Sequence, residues 1–301
     1  MKAARALSTL FLVALAGVSL VWVAGSVVAR PVNRPVPPPP PPGEVVHMRA
    51  ADGVGIEGSY WPGARPDGPA VLLLHGINTN RNQFTRHAQW LSGLGYTVLA
   101  IDLRGHGGSG AVERTFGLHE ARDAAAGFTF LERQAPGRRI GVIGVSLGGA
   151  AALLGEEGPL PAKAMVLHGV YTDIRKAIVN RLERSGSTYL ASFSEPLLSY
   201  QAYARYGVPP ERIAPVDGIR RYRGTVLIVA GTDDDATRVE DSRALYEAAP
   251  GSKALWLVEG ADHIETSKLF NADYRERVQG LFARTLGEPG GHRPPPGPFE
   301  G

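Results

Sequence analysis

Ser146 lies in the stretch Arg139-Ile-Gly-Val-Ile-Gly-Val-Ser-Leu-Gly-Gly-Ala150, where an apolar, β-branched run gives way to Ala/Leu-rich sequence. The pattern reads as a buried strand turning sharply into a helix with a hydroxyl at the corner. Gly144 and Gly148, two residues either side of the serine, let the backbone make that turn without a Cβ clash. This is the G-x-S-x-G nucleophile elbow, which lifts a serine clear of a sheet and sets it beside a helix N-terminus. A serine that attacks a carbonyl needs a base to remove its proton and a carboxylate to orient that base. The competing reading, a serine in an ordinary Gly-rich turn, needs neither partner.

In chains built around such an elbow the order is serine, then acid, then histidine. After Ser146, Val226 to Ala230 reads as a strand ending in Gly231-Thr-Asp-Asp-Asp235, and the next strand ends in Glu259-Gly-Ala-Asp-His263. Acid and base thus follow consecutive late strands, whose loops fall on the same sheet edge as the elbow. Among eight histidines, only His263 combines that order with a strand-end loop. His47 and His292 lie outside the core strand–helix region, and His87 and His119 are expected on helix surfaces. His75, His106 and His168 end or follow strands but precede the acid loop. Three adjacent aspartates compete for the acid, and at least one of them is a solvated turn residue. Asp234, three residues after Gly231, is preferred.

The elements that must hold these groups alternate. Val45 to Arg49 and Val54 to Trp61 flank Asp52-Gly53, a hairpin signal. Apolar strands follow at Ala70 to Leu74, Thr97 to Ile101, Arg139 to Val145, Ala164 to Leu167, Thr225 to Val229 and Ala254 to Val258. Between and after them lie helical stretches at Asn82 to Leu94, His119 to Arg133, Leu147 to Leu154, Ser242 to Ala249 and Phe270 to Leu286. Strands alternating with helices predict an α/β fold with a mostly parallel sheet, opened by an antiparallel hairpin. The long amphipathic stretch from Thr172 to Arg223 breaks the rhythm and predicts a helical cap inserted over one end of the sheet.

Outside this domain the ends differ in kind. Lys2 and Arg5 precede a charge-free run from Ala6 to Ala29, about 36 Å of helix and long enough to span a bilayer. The positive charge at its start favours a cytoplasmic N-terminus with the remainder outside. The run exceeds a usual signal-peptide core, so an uncleaved anchor is preferred, with a cleaved signal peptide after Val27-Val28-Ala29 as the alternative. Residues 31–43 hold eight prolines and read as a semi-rigid polyproline II spacer. The tail from Gly287 to Gly301, rich in Gly and Pro, is expected to be disordered. A formal net charge of +3, with no Lys/Arg stripe, argues against nucleic acid as a partner. The chain has no cysteine, which removes disulfides, thiolate catalysis and Cys-ligated zinc.

Together these residues resemble the α/β-hydrolase fold superfamily, its serine hydrolase and serine aminopeptidase-like branch, over about Val45 to Leu286. Besides Gly144 to Gly148, the resemblance rests on Leu74-His75-Gly76, Asp102-Leu-Arg-Gly-His-Gly-Gly-Ser109, Gly231-Thr-Asp-Asp234 and Gly260-Ala-Asp-His263. It implies Ser146 as nucleophile, His263 as base and Asp234 as acid, with the backbone N–H groups of Ile77 and Leu147 as oxyanion donors. The stretch around Arg104 and His106 is implied to be structural. Two departures stand out: Thr237-Arg238 occurs where a proline often ends the acid loop, and His75-Gly76-Ile77 replaces a His-Gly-Gly-Gly run. The implied activity is hydrolysis of a small-molecule carboxylic ester or related acyl compound, by a membrane-tethered, extracytoplasmic enzyme that requires no metal or organic cofactor. A serine peptidase or aminopeptidase, an acyltransferase, and a non-catalytic binding protein are the alternatives.

Overall fold

The computed structural model describes residues 2–287 except 66–67, 135–136, 157 and 185–187. Eight strands form one sheet: β1 (Glu44–Arg49), β2 (Gly55–Trp61), β3 (Ala70–Leu74), β4 (Thr97–Ile101), β5 (Ile140–Val145), β6 (Ala164–His168), β7 (Thr225–Gly231) and β8 (Lys253–Val258). Their order is β1-β2-β4-β3-β5-β6-β7-β8. The first two strands and the β2–β4 pair are antiparallel, and every other pair is parallel. Asp52-Gly53 makes the hairpin turn, with Gly53 at φ 85°.

The central strands are apolar throughout because both faces of a parallel sheet are covered by helices. Leu72 and Leu74 of β3 point into one core layer, with Ala124, Phe128 and Leu131 of α3 (Glu120–Gln134) and Leu147 of α4 (Leu147–Leu153). Val71 and Leu73 point into the other, with Leu91 of α2 (Thr85–Gly93) and Tyr274, Val278 and Phe282 of α11 (Ala272–Leu286). The strand's two-residue period thus feeds two separate cores.

The predicted cap is α5 (Ile174–Glu183), α6 (Thr188–Ser199), α7 (Gln201–Tyr206) and α8 (Pro215–Ile219), inserted between β6 and β7. Then come α9 (Val239–Ala248) and α10 (His263–Ser267). At the other end of the chain, α1 (Lys2–Ala29) contains, at Arg5–Ala29, a segment long and apolar enough to cross a bilayer. The expected proline spacer does not stand free. Val32 forms a parallel bridge with His106, its N–H donates to the Gly105 carbonyl at 2.7 Å, and the Asn33 side-chain amide reaches the carbonyls of His106, Gly107 and Ser109. These contacts outweigh the tendency of a proline tract to project into solvent. The tail predicted to be disordered lies outside the described residues from 288 onward.

A buried charge cluster ties the loop after β3 to the end of β4. Arg81, 1% exposed, forms ion pairs with Glu57 at 2.6 Å and with Asp102. Its N–H also donates to Asp102 Oδ1 at 2.7 Å, and its Nε to Ser59 Oγ at 2.9 Å. The Gly108 N–H donates to Asp102 Oδ2 at 2.8 Å. Removing one member of such a set leaves an uncompensated buried charge, which costs far more than the pair itself contributes. Arg81→Ala is therefore expected to lower the unfolding free energy by about 3–5 kcal/mol, read as a shift of the urea midpoint at unchanged slope. A shift under 1 kcal/mol would mean that water already reaches the cluster.

Candidate active site

The site begins with a strained corner. Ser146 sits between β5 and α4 at φ 47°, ψ −107°, a conformation a serine adopts only where its surroundings impose it. Gly148, in the first turn of α4, packs against the end of β3. A Cβ there would lie 2.1 Å from the Leu74 carbonyl oxygen, so no residue but glycine brings this helix so close. The hydroxyl is thereby held at the carboxyl edge of the sheet. Leu147 opens the helix, and its N–H has no partner within it.

His263 meets both expected partners. Its Nδ1 lies 2.7 Å from Asp234 Oδ2 and its Nε2 lies 3.3 Å from Ser146 Oγ. A carboxylate only accepts, so the ring proton belongs on Nδ1, which leaves Nε2 as acceptor for the serine O–H. Asp234 is buried, and its other oxygen takes the N–H groups of Ala236 at 3.0 Å and Thr237 at 2.8 Å. Asp233 and Asp235 are exposed, and Asp235 pairs with Arg184 at 3.1 Å. Thr237, where a proline was noted as usual, uses its N–H on Asp234 and its hydroxyl on the Gly169 carbonyl at 3.1 Å. A proline could supply neither bond. Gly169, at φ 51°, lies behind the His263 ring, where a Cβ would come within 3.0 Å of the imidazole.

His263 differs in one respect from its expected loop position: it opens α10. Asp262 caps that helix, accepting from Ile264 and Glu265 N–H at 2.8 Å, while Glu265 accepts from the Asp262 N–H. This capping box fixes the approach of the imidazole. Ile77, Ser146 and His263 together line a cleft of about 490 Å³, with Gln83, Arg86 and Lys268 also on its wall. Gln83 links its two sides, accepting from the Gly76 N–H and donating to the Ser267 carbonyl, both at 3.0 Å. A lone glutamine in a helical stretch gives no sequence signal of that role.

Around the site stand histidines that hold loops, of which His87 also lines the cleft. His75 Nδ1–H donates to the Gly76 carbonyl at 2.7 Å, and its Nε2 accepts from the Leu103 N–H at 3.0 Å. His106, edge-on to His75, donates to the Arg104 carbonyl at 2.9 Å and faces the Asn78 N–H at 3.4 Å. His168 donates to the Thr266 carbonyl at 3.1 Å and accepts from the Tyr274 hydroxyl at 3.3 Å. His87, expected on a helix surface, is instead buried between Phe84, Phe270 and Tyr274 and donates to the Leu269 carbonyl. His119 is half-buried against Tyr206, and His47 is exposed. Burial pushes the His75, His106 and His168 imidazoles down to about 4 and His87 to about 3. In the neutral form, each of the first three satisfies one donor and one acceptor.

A family profile described as "Alpha/beta hydrolase family" matches residues 71–278. The uncharacterized protein Rv2307c of Mycobacterium tuberculosis is 31% identical over 273 residues, covering 87% of this chain and 90% of that protein. The uncharacterized protein YqkD of Bacillus subtilis is 26% identical over 213 residues, 69% of each chain. Among solved structures, the Pyrococcus furiosus esterase Pf2001 superposes with a TM-score of 0.67 at 24% identity, covering 86% of this chain and 99% of that one. Acetyl xylan esterase 1 from Thermoanaerobacterium superposes at 0.62 with 18% identity, covering 81% and 83%. At such identities these structures speak to the fold alone.

The buried histidines set the acid response. Unfolded, each takes up a proton near pH 6.5, whereas the folded chain refuses it until about pH 4 or 3. The unfolded state therefore binds more protons in that window, and stability falls as pH drops through it, by up to about 1.4 kcal/mol per pH unit per histidine. Asp123, whose carboxyl burial pushes up to about 7, opposes this as one group against four. The urea midpoint, followed by tryptophan fluorescence, is expected to drop steeply between pH 6.5 and 4. A midpoint flat across that range would mean that water reaches these rings.

Proposed function

The chain belongs to the alpha/beta hydrolase family, and from that premise we propose that it is a serine hydrolase of carboxylic ester or related acyl bonds, held at a membrane with its domain outside the cytoplasm. The observation that carries the reading is the His263 ring, 2.7 Å from Asp234 and 3.3 Å from a serine on a strained corner. Strain of about 1–3 kcal/mol at one residue persists only where surrounding packing imposes it, and such residues cluster at active sites.

In the proposed reaction His263 Nε2 takes the Ser146 proton as Oγ attacks the substrate carbonyl. The negative charge that develops on the carbonyl oxygen is met by the N–H groups of Ile77 and Leu147, each contributing about 2.7–4 kcal/mol to the transition state. Asp234 holds the Nδ1 tautomer and stabilises the imidazolium. His263 then protonates the leaving alcohol as its bond to the acyl carbon breaks. Water, deprotonated by the same nitrogen, attacks the acyl-serine, and Ser146 leaves with that proton. The membrane part of the reading rests on Arg5–Ala29 as an uncleaved anchor with Lys2 and Arg5 on the cytoplasmic side.

Ser146→Ala is expected to abolish both p-nitrophenyl ester turnover and fluorophosphonate labelling. Asp234→Asn is expected to lower kcat by up to about 10⁴, with Asp233→Asn and Asp235→Asn close to the parent. Residual activity of Ser146→Ala within tenfold of the parent would remove Ser146 as nucleophile. For the anchor, the full-length protein is expected to resist carbonate extraction from membranes, while external protease reaches its domain in spheroplasts. A mature N-terminus at Arg30 would replace the anchor with a cleaved signal peptide.

A further inference from the structure

A second cavity, of about 360 Å³, lies on the cap side of Ile77, within the roughly 300–1,000 Å³ of typical ligand pockets. Ile178, Leu198 and Ala202 of the cap line it, and so do Gly25 and Val28 of α1. Arg181 and Arg205 are the charged members of its wall. Ile77 also lines the cleft that holds Ser146 and His263, so an acyl carbon at Ser146 Oγ has this apolar space beside it. The wall contains one element foreign to the hydrolase core: the end of the bilayer-length helix.

That end is fastened in place. Gln201 Nε2 donates to the Val21 carbonyl at 3.0 Å, and Arg205 donates to Ser26 Oγ with its guanidinium 4.4 Å from the centre of the Trp22 ring. Arg114 caps the helix: its N–H donates to the Ala29 carbonyl at 2.9 Å and its guanidinium to the Val28 carbonyl. A cation is favoured at such a terminus. The same guanidinium donates to Asn78 Oδ1, next to Ile77. With Lys2 and Arg5 at the inner interface, Ala6 to Val21 makes about 24 Å of helix, most of the roughly 30 Å thickness of a bilayer's hydrocarbon core. Trp22 and the docked turns then lie at the outer interface, where amphipathic aromatics and arginines seat. The cap helix α6, which packs on α1, carries exposed Phe193, and α7 carries exposed Tyr203.

We infer that the last turns of α1 form a wall of the acyl pocket, and that this pocket takes the long acyl chain of an ester lipid drawn from the bilayer α1 crosses. The inference rests on the serine-hydrolase reading and names its substrate class. A chain leaving the outer leaflet beside Trp22 meets the cap and α1 first and reaches Ile77 without crossing water. The ester carbonyl then lies at Ser146, and the leaving group lies in the outer cleft, whose wall includes Arg86 and Lys268.

The test uses full-length protein in phosphatidylcholine nanodiscs, with p-nitrophenyl esters from acetate to dodecanoate as substrates. Each methylene that enters the pocket is expected to raise kcat/KM by about fourfold. Ala202→Trp fills the pocket from the cap and Val28→Trp from α1. Each is expected to lower the dodecanoate-to-acetate ratio of kcat/KM by at least about tenfold, with labelling of Ser146 by a small fluorophosphonate as the control for folding. Catalysis-independent support comes from cis-parinarate, which is expected to bind Ser146→Ala protein and to be lost on adding Ala202→Trp. A flat or falling chain-length profile with Ser146 still labelled would overturn the inference and leave the hydrolase reading intact. An effect of Ala202→Trp without one of Val28→Trp would remove α1 from the pocket. Failure of Ser146 to label, with cis-parinarate still bound, would instead overturn the hydrolase reading and keep the pocket.

Discussion

The first turn of α4 lies so close to the end of β3 that the Leu74 carbonyl occupies the space a Cβ on residue 148 would need. That approach brings β5, α4 and β3 into one rigid corner and forces Ser146 into positive φ. It also fixes where the neighbouring loops can go. The segment after β3 must rise past the corner, which carries Ile77 to the wall that Ser146 shares. Strand order then places the ends of β7 and β8 on the same edge, and Asp234 and His263 follow from them. The geometry around Ser146 is a consequence of packing two backbones together, and the side chains complete it.

A corner of this kind is useful only if the loops around it keep still, and polar tethers serve that end. Arg81 and Asp102 bind the loop after β3 to the end of β4. Gln83 ties Gly76 to α10, and His168 ties the end of β6 to the same short helix. The Gln83 and His168 tethers are neutral, and Arg81 sets its charge against the carboxylates of Glu57 and Asp102, so no buried charge in these tethers stands without an opposite one. The histidines suit the role because a neutral imidazole offers one donor and one acceptor on opposite sides of a flat ring.

How much of this was legible in the chain depends on how local the cause is. The strands were readable because double-sided burial demands unbroken apolar runs, as in Ala70–Leu74 and Ile140–Val145. The elbow was readable because its glycines answer a local steric need. Asp234 was preferred over its neighbours by spacing, and it is the buried member of the three. Other features depend on partners far away in sequence. His87 looked like a surface residue because nothing near it reveals that Phe270 and Tyr274 will cover it. The proline segment looked like a free spacer because Asn33 finds its carbonyls more than 70 positions away. The start of α10 was within reach, since Asp262 and Glu265 spell a capping box.

The distance along the chain between Ser146 and His263, 117 positions, has a consequence for the order of events during synthesis. By the time Val145 has emerged, β1 to β5 are all present and can pair, because they are neighbours in the sheet. The serine corner is therefore among the earlier parts of the domain to become available, while His263 arrives on almost the last element. A chain made from its N-terminus presents the Ser146 hydroxyl with no imidazole beside it until β8 has added to the far edge and His263 has followed. The contact between the two side chains is thus among the last to form, and the arrangement at the corner is complete only when the sheet is.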